Sequence, residues 1–403
     1  MSEATRRVPA RAGVGSEGQT FLVGPTLYLR GVESDDAKRG AAWYPSPYPL
    51  PSGVLETRLN KEVPEGARKA EYRLVACRRS DDLPVGSVWF HVEGWRWADA
   101  SVHANPALGA ETDAAIKAEL IGLIVPYLLM ERDLISVWLE TEAGDPAIEA
   151  KAAELGLRKA YRLREALHRN GVRRDAICYE ALHPAWVARF GMPPEGVDGP
   201  VAREVRAPAP CVFPTVDGEP PVGAVMVGER VYLRAVEDDD SDEFAYWSRR
   251  EPETFFDNGR PIRSPLSSAA LHKKLAEEDP PHWIRFAICL RKNDEVIGSN
   301  GLEGIDVINR TAETETEIFR VEYRGKGYGT EAKHLLLAYA FERLGLHMVK
   351  SYVWESNTRS AAALVKQGYR EAGAIAWVGQ KNGELIGDRV FDLLASEWQA
   401  ARR

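Results

Sequence analysis

The 403-residue sequence contains few cysteines and no long hydrophobic run. The cysteines lie far apart and have no histidine at zinc-ligand spacing, which predicts neither a disulfide framework nor a structural metal site. They are Cys77, Cys178, Cys211 and Cys289. The longest apolar stretch, residues 120–130, contains Pro126 and is too short to span a bilayer. The N-terminal segment lacks the apolar stretch of a secretory signal. We therefore expect a cytoplasmic protein with no membrane segment and no metal.

Acidic residues outnumber basic ones. Lys and Arg total 52 against 60 Asp and Glu, so the formal net charge is −8. A nucleic-acid partner requires clustered positive charge, so this balance argues against one. Hydrophobic residues make up 44% of the chain and charged residues 28%, as in ordinary soluble globular proteins. The length predicts two folded domains.

The sequence repeats itself over most of its length. The segment beginning Tyr28-Leu29-Arg30 recurs as Tyr232-Leu233-Arg234, at a separation of 204 residues. Further on the separation becomes 212, as between Cys77 and Cys289 or between Gly156 and Gly368, which indicates one net insertion of eight residues. Such long-range self-similarity predicts two copies of one folding unit.

Prolines separate the two copies. Their density from residue 191 onward opposes regular structure and favours an extended connector. We therefore predict a disordered tail at 1–23, a first domain at 24–190, a proline-rich linker at 191–227 and a second domain at 228–403. Two tandem copies in one chain also suggest a monomer that resembles a dimer.

Each copy has the pattern of a mixed α/β fold. In the second copy we predict strands at 231–234, 285–290, 296–302, 313–319 and 348–354. Helices are expected at 329–344 and 358–367, followed by a closing hairpin. The acidic run 237–243 suits the start of a helix better than a metal site, because acidic side chains there favour the helix dipole.

A glycine-rich segment follows the strand at 313–319 and precedes a helix. It consists of Arg324, Gly325, Lys326, Gly327, Tyr328, Gly329 and Thr330. Backbone N–H groups of such a loop converge on an anion at a helix N-terminus, which predicts a phosphate cradle. Thr330 occupies the place where a dinucleotide fingerprint needs glycine. On this pattern alone, a plain structural turn remains an alternative.

The loop resembles the pyrophosphate signature R-x-x-G-x-G/A of the GNAT superfamily of acetyl-CoA-dependent N-acetyltransferases. Arg324, Gly327 and Gly329 supply it, and the series that follows resembles the ribosomal-protein N-terminal acetyltransferase type (RimJ/RimL-like). That series comprises Leu344–His347, Asn357 with Ser360, Gly368-Tyr369, Asp388 and Glu397-Trp398. The resemblance covers about residues 228–400 and implies two tandem acyl-CoA N-acyltransferase-like domains.

The resemblance implies acetyl-CoA as cosubstrate and a primary amine, on a protein N-terminus or a small molecule, as acceptor. Pantetheine is expected along the strand before the loop, with backbone N–H groups near Phe319 and Val321 stabilising the oxyanion. Asn357 matches the position that contacts the cofactor arm. Ser360 matches the position proposed to protonate the leaving thiolate, although it is equally suited to satisfying backbone donors at a helix start.

A carboxylate is needed to accept the proton of the incoming ammonium. Glu313, Glu315 and Glu317 alternate along a strand and therefore share one face. Like charges on one face raise each other's pKa, which suits a base, but the same pattern is typical of an exposed polar face. We favour Glu315 or Glu317 over Glu313, and the assignment stays open.

The first copy lacks the loop. At a separation of 212, residues 324–329 correspond to 112–117, Thr-Asp-Ala-Ala-Ile-Lys, which contain no glycine. Side chains at these positions are expected to restrict the loop, and Asp113 to repel a pyrophosphate. Glu315 corresponds to His103, for which a structural role is favoured. We expect this copy to be non-catalytic and to shape the site of the second.

Two other functions compete with acetyl transfer. A non-catalytic sensor of acyl-CoA needs the glycine loop but no base and no Ser360. A purely structural pair of domains needs neither the base nor the loop, and thiol release from acetyl-CoA with a panel of amines distinguishes these functions.

Overall fold

The computed structural model describes residues 20–93, 96–197, 219–248, 250, 264–276 and 281–401. The chain divides into two compact units. The first comprises Met1–Tyr161 and Ala176–Asp198, and the second comprises Arg162–Asp175 and Gly199–Arg403. None of the helices in the described ranges is long and apolar enough to cross a membrane.

The first unit is built on a mixed sheet covered by helices. Its strands are β1 (Thr20–Val23), β2 (Leu27–Gly31), β3 (Glu71–Arg78), β4 (Pro84–Glu93), β5 (Trp97–Ala104), β6 (Ser136–Glu142), β7 (Arg158–Arg169) and β8 (Val172–Leu182). Within β7 and β8, residues 162–175 are grouped with the second unit. Its helices are α1 (Ser52–Arg68), α2 (Ala110–Pro126), α3 (Pro146–Glu154) and α4 (Pro184–Phe190). The strand order is β1-β2-β3-β4-β5-β6-β8-β7, in which β5 and β6 run parallel.

The second unit repeats this plan. Its strands are β9 (Ala224–Val227), β10 (Val231–Ala235), β11 (Ile284–Leu290), β12 (Val296–Asp306), β13 (Thr311–Ile318), β14 (Met348–Trp354), β15 (Arg370–Lys381) and β16 (Glu384–Leu394). Its helices are α5 (Asp240–Ser248), α6 (Pro265–Ala276), α7 (Tyr328–Ala338), α8 (Thr358–Lys366) and α9 (Ala395–Ala400). The order is β15-β16-β14-β13-β12-β11-β10-β9, and β13 and β14 run parallel.

The predicted mixed α/β fold is confirmed. The strand expected at 348–354 is β14, and the helix expected at 329–344 is α7 followed by a π-helical turn at Tyr339–Arg343. A buried cluster of apolar side chains fills the space between the sheet and α7, including Leu335 and Leu336, which are fully buried. This core fixes α7 against the strands that lead into the glycine-rich loop.

Two strands lie in segments that the sequence predicted to be tail and linker. Residues 20–23, Thr-Phe-Leu-Val, form β1 and pair with β2, because their β-branched and aromatic side chains favour an extended strand. Residues 224–227, which the predicted linker included, likewise form β9 beside β10. The remainder of the tail, 1–19, and the proline-rich stretch 198–218 lie outside the described residues.

Several interactions recur in both units at the separations found in the sequence. Glu119 accepts hydrogen bonds from the backbone N–H groups of Thr26 and Leu27, and Glu331 accepts them from Arg230 and Val231. A second recurring interaction is an arginine that holds an aspartate at a helix start, Arg30 with Asp36 and Arg234 with Asp240. The two units therefore share local contacts as well as secondary structure.

The pair Arg234–Asp240 gives a stability prediction. The guanidinium donates to both carboxylate oxygens at 2.6 and 2.7 Å, and the Asp240 side chain is 6% exposed. Replacing Arg234 by Ala leaves a buried carboxylate without its cation, which we expect to destabilise the second unit by about 3–5 kcal/mol. Chemical denaturation followed by Trp fluorescence measures this effect. Lys38→Ala is the control, because Lys38 forms a solvent-exposed pair with Asp35 and its loss should change stability little.

Candidate acyl-CoA and amine site

The glycine-rich loop forms the N-terminal end of α7. Gly325 has φ +71° and Gly327 has φ +84°, a left-handed backbone that residues with a Cβ rarely adopt. Gly327 is the N-cap of α7, and the helix begins at Tyr328. The first N–H groups of a helix have no partner within that helix, so this end of α7 is suited to binding an anion.

Two arginines hold the loop in place. Arg324 donates from Nε to the carbonyl of Ile318 at 2.8 Å, which ties the loop back to the end of β13. Arg230 donates to the carbonyl of Lys326 at 2.8 Å, and its guanidinium lies 4.8 Å from the centre of the Tyr328 ring. Sequence reasoning missed Arg230, because it precedes the loop by nearly one hundred residues. Both side chains fix the loop backbone that would contact a pyrophosphate.

The strands β13 and β14 separate near this loop. Their register runs from Thr311–Met348 to Glu313–Lys350 and stops there, although β13 continues to Ile318 and β14 to Trp354. At the end of this ladder, the Thr314 hydroxyl donates to the carbonyl of Lys350 at 3.2 Å. The Ser351 hydroxyl donates to the carbonyl of Thr314 at 3.0 Å. We call the opening beyond these bonds, between residues 314–318 and 351–354, the β13–β14 gap.

The gap opens at the carboxyl ends of two parallel strands. The glycine-rich loop follows β13, and the loop that contains Asn357 follows β14, so both lie at the same edge of the sheet. Of the expected oxyanion donors, the N–H of Phe319 already donates to the carbonyl of Ile297 at 3.0 Å. The Phe319 side chain is buried against Phe244. Val321 is 53% exposed and begins a short 3-10 turn.

The three glutamates of β13 share one face but differ in surroundings. Glu315 accepts hydrogen bonds from Nε and a terminal nitrogen of Arg285 at 2.9 and 2.6 Å. Glu317 is exposed. Glu313 is less accessible, and burial raises its pKa to about 7, with repulsion from Glu303 and Glu315 adding to the shift and Lys350 and Lys333 opposing it. The structure thus gives Glu313 the environment of a general base.

A further carboxyl lies on the same face, on β16. Asp388 is paired in register with Trp354, the last residue of β14. Burial raises the pKa of Asp388 to about 7, and the charges of Glu313 and Glu355 raise it further. Its Oδ1 atom is buried and has no hydrogen-bond partner within the described part of the chain. The sequence pointed to Asp388 only as part of a motif series.

A lysine lies on the opposite side of the sheet. Lys333 belongs to α7 and is 3% exposed. Its Nζ atom lies 5.9 Å from the centre of the Tyr369 ring. Burial lowers the pKa of Lys333 to about 7, and the negative charges of Glu315 and Glu313 oppose this shift. Sequence reasoning missed Lys333, although a single lysine beside Leu335, Leu336 and Leu337 was a detectable signal.

Asn357 and Ser360 form the start of α8. The side-chain oxygen of Asn357 accepts a hydrogen bond from the backbone N–H of Ser360 at 3.1 Å, so Asn357 is the N-cap. The capping group is therefore Asn357, and Ser360 supplies the capped N–H rather than a capping side chain. Ser360 as a residue is partly exposed, at the start of α8.

The corresponding residues of the first unit form a helix rather than a loop. At a separation of 212, Tyr328 corresponds to Ile116, but α2 already begins at Ala110 and includes all of Thr112–Lys117. We expected a restricted loop; without glycines, the helix instead extends over these positions. Glu111 and Asp113 lie in its first turn, where they disfavour an anion. Burial lowers the pKa of His103 to about 4, so this histidine is neutral at physiological pH.

Parts of the chain are similar to known proteins. Residues 230–370 match the acetyltransferase (GNAT) domain family. The chain is 31% identical over 175 residues to the uncharacterized N-acetyltransferase p20 of Bacillus licheniformis, covering 42% of this chain and 96% of that protein. It is 32% identical over 108 residues to the putative ribosomal N-acetyltransferase YdaF of Bacillus subtilis, covering 26% of this chain and 57% of that protein.

Among solved structures, spermidine N-acetyltransferase from Vibrio cholerae in complex with CoA and spermine is similar to this chain. The identity is 23% and the TM-score 0.39, with 42% of this chain and 98% of that chain covered. A putative acetyltransferase from Sphaerobacter thermophilus is 34% identical with a TM-score of 0.33, covering 40% of this chain and 96% of that chain.

Proposed function

This chain belongs to the GNAT acetyltransferase family, and from that premise we propose that its second unit transfers the acetyl group of acetyl-CoA to a primary amine. The observation that carries the proposal is the glycine-rich loop at the start of α7. Gly325 and Gly327 adopt a left-handed backbone there, whereas residues 112–117 of the first unit lie within a helix. We propose that the two units are tandem copies and that the first binds no acyl-CoA.

The proposed cofactor path follows from the backbone. The N–H groups at the start of α7 bind the pyrophosphate, and the pantetheine arm enters the β13–β14 gap, where it adds to β13 as a strand would. In this proposal the amide of Asn357 contacts the arm from the other side, and the Ser360 hydroxyl donates to the leaving thiolate. Holding the thioester and the amine in contact supplies much of the rate acceleration.

We propose Glu313 as the base. The acceptor arrives as an ammonium and must lose a proton before its nitrogen attacks the thioester carbonyl. Glu313 lies where β13 and β14 part, and its raised pKa suits proton acceptance near neutral pH. Glu315 is held by Arg285, and Glu317 is exposed, so the two glutamates favoured from the sequence are less suited to this role.

The negative charge on the face of the sheet that carries Glu313 favours a cationic amine as acceptor. Four glutamates lie on this face of β12 and β13, and Asp388 lies on the same face of β16. They are Glu303, Glu313, Glu315 and Glu317. This arrangement attracts an ammonium group and suits a polyamine, a protein N-terminus flanked by basic residues or an amino sugar.

The test is acetyl-CoA-dependent thiol release by the full chain with a panel of these amines. Mass spectrometry of the products identifies the acetylated nitrogen. Release that depends on the amine supports the proposal. Tight acetyl-CoA binding without turnover on any amine indicates a sensor, and the absence of both binding and turnover indicates a structural pair of domains.

A further inference from the structure

Asp388 carries a buried carboxyl oxygen at a position where the first unit has no acid. The Oδ1 atom is buried and has no hydrogen-bond partner within the described residues, although Asp388 as a residue is partly exposed. At a separation of 212, Asp388 corresponds to Ala176 of β8, which is fully buried. A carboxylate that loses its hydration and gains no partner is costly. Alanine occupies the matching place in the first unit, so packing alone does not require an acid at position 388.

The strand register places Asp388 on the face of the sheet that carries Glu313. Glu313 is paired with Lys350 of β14, and Lys350 is paired with Asp392 of β16. Side chains alternate along a strand, so Asp388, four residues before Asp392, lies on the same face. Phe391, between them, belongs to the core that packs against α7 on the other face. Asp388 and the proposed base therefore share one face of the sheet.

Along the strands, Asp388 lies at the open end of the β13–β14 gap. It is paired with Trp354, the last residue of β14. Side chains paired across two antiparallel strands have Cβ atoms about 5 Å apart. Glu313 lies at the closed end, beside Lys350, which precedes Trp354 by four residues or about 13 Å of extended strand. The two carboxyl groups therefore lie at opposite ends of the gap.

The neighbours of Asp388 are negative, apolar or paired with other groups. Arg389, the next residue, lies on the other face and donates to the two carboxylate oxygens of Glu371 at 2.9 and 2.7 Å. The residue of β15 in register with Asp388 is Ile375. Glu355, in the turn after β14, adds a negative charge. Among the described residues, those adjacent to Asp388 in sequence or in register therefore supply no cation to its carboxyl group.

We propose that Asp388 is a binding residue for the acceptor, whose carboxylate binds a second cationic group of the acceptor at the open end of the β13–β14 gap. This inference rests on the proposed function. The reacting amine lies nearer Glu313, and the second cation supplies the charge that offsets the cost of burying the carboxylate. Trp354 suits the same ligand, because an indole ring attracts cations. The substrate class is an amine that carries a second positive charge.

Binding of α,ω-diaminoalkanes to the full chain loaded with CoA tests this inference. Titration calorimetry is run at a pH above the value of about 7 to which the pKa of Asp388 is raised, so that the carboxylate is ionised. Asp388→Asn keeps the shape and removes the charge, and we expect it to weaken binding of the diamine by about 10- to 100-fold. The n-alkylamine of the same length has no second charge, so the substitution should change its affinity little.

Glu384→Gln is the matched control. Glu384 lies on the same strand as Asp388 but is exposed in the hairpin that joins β15 and β16. Removing its charge should leave the affinities for the diamine and for the alkylamine unchanged. An effect of Glu384→Gln as large as that of Asp388→Asn would mean that the acidic surface attracts amines without a specific subsite, which contradicts the proposal.

The outcomes separate this inference from the proposed function. The inference is overturned if the wild type binds no diamine, or if Asp388→Asn binds it as tightly as the wild type, even when the protein acetylates amines. Diamine binding that depends on Asp388, without acetyl transfer, overturns the proposed function and supports the subsite. Where transfer occurs, Asp388→Asn should raise the KM for the diamine and leave kcat nearly unaltered.

A structural role for Asp388 predicts a different result. Because burial raises the pKa of Asp388 from 3.8 to about 7, the ionised carboxylate weakens folding above pH 3.8, and most strongly above about 7. Asp388→Asn should therefore not lower the unfolding midpoint in that range. A lower midpoint, together with an equal loss of affinity for the diamine and the alkylamine, contradicts the proposal.

Discussion

Glu313→Gln is expected to lower kcat/KM for acetyl transfer by about 100- to 10,000-fold, the usual contribution of a general base. Gln has nearly the same shape as Glu but cannot accept the ammonium proton. The change should leave the KM for acetyl-CoA nearly unaltered, because Glu313 lies at the closed end of the gap and away from the glycine-rich loop. Steady-state kinetics with an amine identified by the panel measures both quantities.

The kcat/KM of the wild-type protein should change with pH in a defined direction. The pKa of Glu313 is raised to about 7, so the wild-type kcat/KM should fall as the pH drops below about 7. Glu313→Gln should lose this acidic limb. Glu317→Gln is the matched control: it removes an exposed carboxylate on the same face, and its activity should stay within a few-fold of wild type. If Glu313→Gln keeps the activity and Glu315→Gln or Glu317→Gln loses it, the base is one of the latter.

Replacing residues 324–329 by Thr-Asp-Ala-Ala-Ile-Lys, the residues 112–117 of the first unit, is expected to abolish most CoA binding. In the first unit that segment is helical, so it should extend α7 toward its N-terminus. The N–H groups that bind the pyrophosphate would then donate to carbonyls within the helix. Each hydrogen bond to a charged group contributes about 1.5–3 kcal/mol, so losing two weakens binding by more than about 100-fold. Calorimetry with CoA measures the affinity.

A milder pair of variants controls for backbone strain. Gly325→Ala and Gly383→Ala both place a Cβ on a left-handed backbone, at φ +71° and +83°. Neither Cβ would meet backbone or bulky side chains, so both substitutions carry similar strain. Gly325→Ala should weaken CoA binding, whereas Gly383→Ala, in the hairpin between β15 and β16, should not. If both substitutions weakened CoA binding equally, the effect of Gly325→Ala would come from lost stability and not from the loop itself.

The sequence pattern predicted most of the second unit's fold. The strands β10, β11 and β14 and the helix α8 begin and end within a residue or two of their expected bounds, because hydrophobic periodicity and turn residues are local signals. The glycine-rich loop between β13 and α7 was also predicted, because its glycines are visible in the sequence. The structure shows why glycine is needed there: Gly325 and Gly327 adopt a left-handed backbone. The strands at Thr20–Val23 and Ala224–Val227 were missed because they are short and lie at the borders of segments that look irregular.

The roles of the three glutamates could not be separated from the sequence. Alternation places all of them on one face, but their burial depends on where β13 leaves β14, and Glu315 is paired by Arg285 from β11. These are contacts between strands distant in sequence. The surroundings of Lys333 also depend on contacts between distant segments, because the packing of α7 on the sheet sets its position relative to Tyr369.

The central claim is that the glycine-rich loop of the second unit alone binds acyl-CoA. Calorimetric titration of the full chain with CoA tests it most directly, together with the same titration of the variant that carries residues 112–117 in place of 324–329. We expect one CoA per chain in the wild type and no measurable binding in the variant. Two CoA molecules per chain, or one that persists in the variant, would contradict the claim.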